Sequence, residues 1–370
     1  MDNDGLKGWL TLSAIPGLGP ALIHRLVKRF GSPAGVFEGR EKDFAEIKGI
    51  GRAMARRLSD RIVVKNIVEA VERQLEYCDR NNIHLLCYED NDYPSLLREI
   101  YDPPAVLYVR GDMGCLNSPS VAIVGSRAAT SYGKRTSFQI AENLSGRGVT
   151  VVSGLALGVD SEAHKGALQG GGATVGVLGC GIDVVYPRPN KKLFEKVANG
   201  GVVISEYGPG VQPEGFRFPA RNRIISGLSL GVVVVEAALR SGSLITARMA
   251  LEQGREVFAV PGRVDSVKSA GTHHLIREGA VLIHQAGEIL DELGIVGMIE
   301  QSSKESKVPL TEMCSESEKQ LLCSLETYPK SIDEIIGYSG LTPAEIHDIL
   351  LRLELRGLVR HLPGQQYEKV

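Results

Sequence analysis

Between residues 83 and 283 the chain alternates short apolar runs, rich in Val, Ile and Leu, with longer stretches of mixed polarity. The runs at 106–109, 121–124, 149–152, 174–178, 202–205, 232–235, 257–260 and 281–283 are mostly continuous rather than alternating, the pattern of strands buried on both faces. Helical spacing fills the gaps, most clearly over 134–144, 161–168 and 244–253. This succession predicts an α/β fold with a doubly wound parallel sheet, whose ligands sit beyond the carboxyl ends of the strands.

The pattern changes at both ends. Up to residue 75 the apolar spacing is helical throughout, with turns at Gly31-Ser32-Pro33 and Gly49, so 1–75 is read as a helical domain and 76–298 as the sheet domain. Residues 299–307 are polar and rich in Ser, Lys and Glu, and a linker is expected over 299–310. Residues 311–370 read as helices at 317–325, 332–336 and 343–356, then two strands around Pro363-Gly364, a winged helix. Thr342 with Glu345 marks the start of its third helix.

Composition narrows the class. With 43% hydrophobic and 23% charged residues the chain reads as soluble and globular. It has no apolar run near the ~18 residues needed to cross a bilayer. The acidic start Met1-Asp2-Asn3-Asp4 leads into no long apolar stretch, so a cytoplasmic protein without a secretory signal is expected. Six cysteines without a C-x-x-C pair, and eight histidines without H-E-x-x-H, predict neither a structural metal nor a disulfide framework. The net charge of −2 is unevenly spread: 13 Lys+Arg against 9 Asp+Glu in 1–75, 23 against 25 in 76–310, and 6 against 10 in 311–370. A polyanion is therefore expected at the head or at local basic clusters of the middle, not on the acidic tail.

The strand ends carry those clusters. After 121–124 comes Gly125-Ser126-Arg127, then Tyr132-Gly133-Lys134 opening a helix, a small-residue turn suited to phosphate with Lys134 as an added cation. It is not G-x-G-x-x-G. The next strand ends in Ser153-Gly154 without the acid that would hold a ribose, which disfavours a dinucleotide cofactor; none is expected. Gly242-Ser243 follow another strand. The densest cluster is Phe216-Arg217-Phe218-Pro219-Ala220-Arg221-Asn222-Arg223, two rings and three arginines in eight residues. Cations for a backbone and a ring for an unpaired base are the two halves of single-strand recognition, with Phe218 as the stacking candidate.

The head contains a repeat. Ile15-Pro16-Gly17-Leu18-Gly19-Pro20 recurs as Ile47-Lys48-Gly49-Ile50-Gly51-Arg52, each followed by a helix. It resembles the helix-hairpin-helix motif, which grips a DNA phosphate through exposed amides. Gly49, Gly51, Arg52 and Arg56 are thus a second candidate DNA contact.

The whole series resembles the bacterial DNA-processing protein A family (DprA, also called Smf). The motifs are Val124-Gly125-Ser126-Arg127, Ser153-Gly154-Leu155-Ala156-Leu157-Gly158-Val159-Asp160, Gly179-Cys180-Gly181-Ile182-Asp183-Val184-Val185-Tyr186-Pro187, Ser205-Glu206-Tyr207, Phe218-Pro219-Ala220-Arg221-Asn222-Arg223 and Ser241-Gly242-Ser243-Leu244. The resemblance implies an extended Rossmann-like doubly wound sheet between an N-terminal helix-hairpin-helix/SAM-like domain and a C-terminal winged helix. It implies a non-enzymatic single-stranded DNA-binding protein that protects incoming strands in natural transformation, loads RecA recombinase and acts as a homodimer. Gly125, Ser126, Arg127, Phe218, Arg221 and Arg223 inherit the basic pocket. Some members carry a lysine just before the aromatic-arginine segment; here 213–215 read Pro-Glu-Gly and Arg217 is the nearest cation.

Two other classes compete. A nucleotide-processing enzyme of the phosphoribohydrolase type uses a related sheet, and Asp160, Glu162 and His164 offer an acid/base set, although their i, i+2, i+4 spacing puts Glu162 on another helix face. A duplex-reading regulator would work through the winged helix. There Glu345, Asp348 and Glu354 oppose Arg352 and Arg356, which favours a protein contact or a dimer contact over a DNA groove.

Overall fold

A computed structural model of the chain describes residues 3–295, 315, 317–318, 321–322, 325, 330–339, 342–355, 358–362 and 364–369; the expected linker at 299–310 lies outside the described residues. Nine strands form one sheet. β1 (His84–Cys87) and β2 (Val106–Gly111) are an antiparallel edge, and β2 pairs antiparallel with β6 (Val202–Ser205). From β6 the sheet continues parallel through β5 (Thr174–Leu178), β4 (Thr150–Ser153), β3 (Ser120–Val124), β7 (Gly231–Val234), β8 (Glu256–Ala259) and β9 (Val281–Leu282). The run at 106–109, expected among the parallel strands, thus forms part of the antiparallel edge.

The apolar runs become strands because both sheet faces are covered. Along β6, Val203 enters one hydrophobic core while its neighbours Val202 and Ile204 enter another. All three are fully buried, each contributing roughly 1.5–3 kcal/mol of burial free energy.

The N-terminal helices are joined to one of these cores. Trp9, Leu12, Ile23 and Leu26 cluster with Val106, Tyr108, Leu178 and Val203. The expected boundary at residue 75 falls inside a 20-residue helix, Arg61–Arg80, which buries Val71 and Cys78. Its start is fixed by Asp60, whose side chain accepts from the amides of Ile62 and Val63. The two hairpins are near copies in geometry as well as in sequence. Gly17 and Gly49 have φ of 85° and 97°, a left-handed turn that other residues rarely adopt. Each hairpin also holds the other. Arg25 Nη1 donates to the Lys48 carbonyl (3.1 Å), and Arg57 Nη1 donates to the Pro16 carbonyl.

Residues Met1–Ala129 with Thr136–Ile299 form one compact unit, and Thr130–Arg135 with Glu300–Val370 a second. In the latter, the helices Ile332–Ser339 and Pro343–Leu355 precede the antiparallel pair Val359–Leu362 and Gln366–Lys369, with Lys330–Ser331 as a third strand. The expected cap is present: the Thr342 amide donates to Glu345 Oε2 (2.9 Å), and the Glu345 amide to Thr342 Oγ1 (3.4 Å). Leu321, Ile335, Ile346, Leu350, Leu353 and Val359 form its core, while Glu345, Asp348 and Glu354 are exposed.

Candidate nucleic-acid interface

The chain leaves β3 toward β4, β5 and β6, then returns on the other side of β3 at β7. Loops from neighbouring strand ends diverge at such a switch point and leave a crevice. A trough of about 720 Å³ lies there. Gly125, Ser126 and Arg127 line it from the end of β3, and Gly242 and Ser243 from the start of the helix Gly242–Glu252. Phe218, Arg221, Asn222 and Ile225 line it from the helix Arg217–Gly227.

Spacing on that last helix decides which side chains reach the trough. Positions 218, 221, 222 and 225 share one face at the helical period, whereas residues two apart point about 200° away from one another. Arg223 accordingly turns elsewhere: Nε donates to Asp102 Oδ2 (2.9 Å) and Nη2 to Glu206 Oε1 (2.6 Å). The expectation that it lines the strand pocket fails on this geometry. Arg217 also stays outside the trough lining. It pairs with Glu214 (3.0 Å), and its guanidinium lies 5.1 Å from the Tyr207 ring and 5.4 Å from the exposed Phe216 ring. Ser153 is fully buried and spends its hydroxyl on the Ile123 carbonyl (2.7 Å). Lys134, exposed in the first turn of the helix Ser131–Ser145, is not a lining residue.

Arg221 is a bracket rather than a free cation. It is buried, donates Nη1 to the carbonyls of Gly154 (2.8 Å) and Val177, and donates Nε to Asn222 Oδ1 (3.2 Å). A Cβ on Gly154 would lie 2.6 Å from the guanidinium, so the approach needs glycine there. Burial pulls the Arg221 pKa down to about 10, still ionised at neutral pH. Asp160, whose carboxyl burial pushes up, lies in its field and accepts the Gly154 amide (3.1 Å). One backbone amide of the Gly125-Ser126-Arg127 turn is likewise engaged: the Ser126 amide donates to the Glu236 carbonyl (2.7 Å).

What faces the trough most openly is an aromatic and cationic stack. The Phe218 ring is half-buried, the Arg127 guanidinium lies 5.3 Å from its centroid, and the Tyr186 ring 5.3 Å from it on a 33° tilt. A smaller pocket beside them, about 80 Å³, is lined by Gly154, Gly179, Cys180, Tyr186, Phe218 and other residues. Sequence reasoning missed Tyr186 as a site residue, and also missed Arg240 and Lys268, which line the trough from separate loops. Arg240 is exposed, and Lys268 donates to the Ala128 carbonyl.

The acid/base set of the enzyme reading is not assembled. His164 is fully buried, its Nε2 accepts the Leu155 amide (3.3 Å), and Nδ1 therefore carries the proton toward Thr174 Oγ1 (2.8 Å). Burial lowers its pKa to about 3. It holds Leu155 in a left-handed conformation (φ 54°), and Asn190 Nδ2 bonds the carbonyl of the same residue (2.8 Å). Glu162 pairs with Lys165 (2.9 Å). In the hairpin repeat, Gly51 caps the helix Arg52–Ser59, and Arg52 and Arg56 are exposed.

Comparison with known proteins agrees with this architecture. Family profiles match for DNA recombination-mediator protein A over residues 84–294, the DprA winged helix domain over 305–365, and a SAM-like helix-hairpin-helix tandem over 10–62. The chain is 35% identical to protein Smf of Synechocystis over the full length of both. It superposes on DNA processing protein A of Streptococcus pneumoniae with a TM-score of 0.59 at 39% identity, covering 74% of this chain and 97% of that one. For the Helicobacter pylori protein, whose structure is described in terms of its single-stranded DNA binding mode, the values are 0.53 and 34%, covering 58% and 96%. From the head repeat through the sheet to the winged helix, this chain belongs to the DNA recombination-mediator protein A family.

Proposed function

We propose that this protein binds single-stranded DNA in the switch-point trough and acts, without catalysis, as a recombination mediator. It protects incoming strands in natural transformation and passes them to RecA recombinase, working in the cytoplasm as a homodimer. The observation that carries the reading is the half-buried Phe218 ring at the edge of the trough, with the Arg127 guanidinium and the Tyr186 ring each 5.3 Å from its centroid. A partly exposed ring in a cationic trough suits stacking of an unpaired base, and duplex DNA offers none. Arg127, Arg240 and Lys268 neutralise phosphates, the amino end of the helix Gly242–Glu252 adds its dipole, and Arg221 supplies a fixed positive field from below. The single-stranded DNA binding mode described for the Helicobacter pylori relative supports the ligand class. Gly49, Gly51, Arg52 and Arg56 supply a second backbone contact.

The test is a binding titration of single and double strands across salt for wild type, Arg127→Ala and Phe218→Ala. Preference for single strands that both substitutions weaken supports the reading; equal affinity for duplex, or indifference to both substitutions, overturns it.

A further inference from the structure

Asn190 occupies the N-cap position of the helix Lys191–Gly200, where an asparagine side chain ordinarily accepts a hydrogen bond from the first amides of the helix. Here its side chain makes no such cap. Nδ2 donates instead to the loop that follows β4: to the Leu155 carbonyl (2.8 Å), to Ser161 Oγ (2.9 Å) and, at longer range, to the Ala156 carbonyl (3.3 Å). The Ser161 hydroxyl gives its own proton to the Ala156 carbonyl (2.6 Å), so its oxygen is left to accept. All three partners of Asn190 are therefore acceptors, and its amide brings the donors they need. A leucine of similar size would bring none.

Those bonds hold a wall of the candidate interface. Leu155 has φ 54°, a left-handed backbone that persists in such a residue only where its surroundings over-determine it. Both of its backbone groups are pinned, the amide on His164 Nε2 and the carbonyl on Asn190. The next two residues, Ala156 and Leu157, line the side pocket of about 80 Å³ together with Tyr186 and Phe218. Ala156 and Tyr186 also line the trough. Asn190 itself ends the short helical turn Arg188–Asn190, four positions after Tyr186. It is thus a direct tie between the loop that carries Tyr186 and the loop that carries Ala156 and Leu157.

We infer that Asn190 is a positioning residue for single-strand binding: it fixes the spacing of these two loops, and so sets the walls beside Phe218 against which a base of the bound strand rests. The inference rests on the single-strand reading of the trough. Asn190 lines neither the trough nor the side pocket, so it acts through Tyr186, Ala156 and Leu157.

The experiment is an anisotropy titration of the full chain with one single-stranded oligonucleotide at several salt concentrations, for wild type, Asn190→Leu, Phe218→Ala and the two combined. Asn190→Leu removes the donors without adding charge; Asn190→Ala serves if melting shows that the first variant does not fold. The folded variant is expected to bind about fivefold or more weakly than wild type, yet to cost less than about twofold when Phe218 is already Ala, because the two act on the same base. Its salt slope is expected to match wild type, since no phosphate contact is removed. A merely structural role would weaken both backgrounds equally. The inference is overturned by unchanged affinity, by equal losses in the two backgrounds, by a shallower salt slope, or by failure of both Asn190 variants to fold, which would make the residue part of the core and not of the site. If Phe218→Ala leaves affinity unchanged, the single-strand reading falls and this inference with it; if Phe218→Ala weakens binding and the Asn190 variant does not, this inference alone falls.

Discussion

Arg221 and Arg223 stand two positions apart on one helix and face opposite ways. Arg221 bonds the Gly154 and Val177 carbonyls beneath the trough, and Arg223 is pinned by Asp102 and Glu206. The two arginines therefore differ in what their loss does. Arg223→Met should destabilise the fold by about 3 kcal/mol, because Glu206 is left buried without its partner while Asp102, 36% exposed, rehydrates. Denaturant unfolding measures this, and the folded fraction should bind single strands as wild type does.

Arg127 is exposed and reaches the trough. Its replacement by Ala should weaken every single-strand sequence alike and make the salt slope shallower by about 0.7, the value for one phosphate on a single strand. Fluorescence anisotropy at several salt concentrations reads both effects. A change in sequence preference with the slope unaltered would count against a phosphate role.

Phe218→Ala should cost roughly 1–3 kcal/mol of single-strand affinity, the value of one stacked base. Because its ring meets Tyr186 at 5.3 Å, Phe218→Ala combined with Tyr186→Ala should fall short of the sum of the single losses. A double-mutant cycle on one oligonucleotide tests this, and full additivity would mean that the rings act separately.

His164 should make stability depend on pH. Its folded pKa, about 3, lies below the ordinary 6.5, so the unfolded chain binds the extra proton as pH falls below about 6.5. That costs about 1.4 kcal/mol per pH unit until the folded group also titrates near pH 3. Asp160 and Glu206, pushed upward by burial, contribute with the opposite sign, so the histidine part is isolated by comparing wild type with His164→Gln. The variant should show the smaller loss on acidification.

If two troughs share one strand in a dimer, a change that breaks the dimer should weaken binding of long oligonucleotides far more than short ones, because the second contact gains from effective concentration. Equal losses at both lengths would argue for independent troughs.

Much of the sheet was legible because β-branched runs covered on both faces have no other low-energy home; 174–178 and 202–205 were placed to the residue. The antiparallel turn of β2 was not legible, since a buried run looks the same in either direction. Within the site, the strand-end loops at Gly125-Ser126-Arg127 and Gly242-Ser243 were readable from order alone. The segment 216–223 was read as a cluster without a period, because Pro219 hides a helix start; proline is tolerated in the first turn. Reading it at 3.6 residues per turn would have separated Arg221 from Arg223. Tyr186, Arg240 and Lys268 arrive from three distant loops, and no local pattern announces their meeting.

The crossed clasp of the head, Arg25 on Lys48 and Arg57 on Pro16, ties the two copies of the repeat into a single mechanical part. Neither arginine is at liberty to reach outward while the tandem is closed. Deleting one copy would strip the other of its brace, so the loss of either hairpin loosens both.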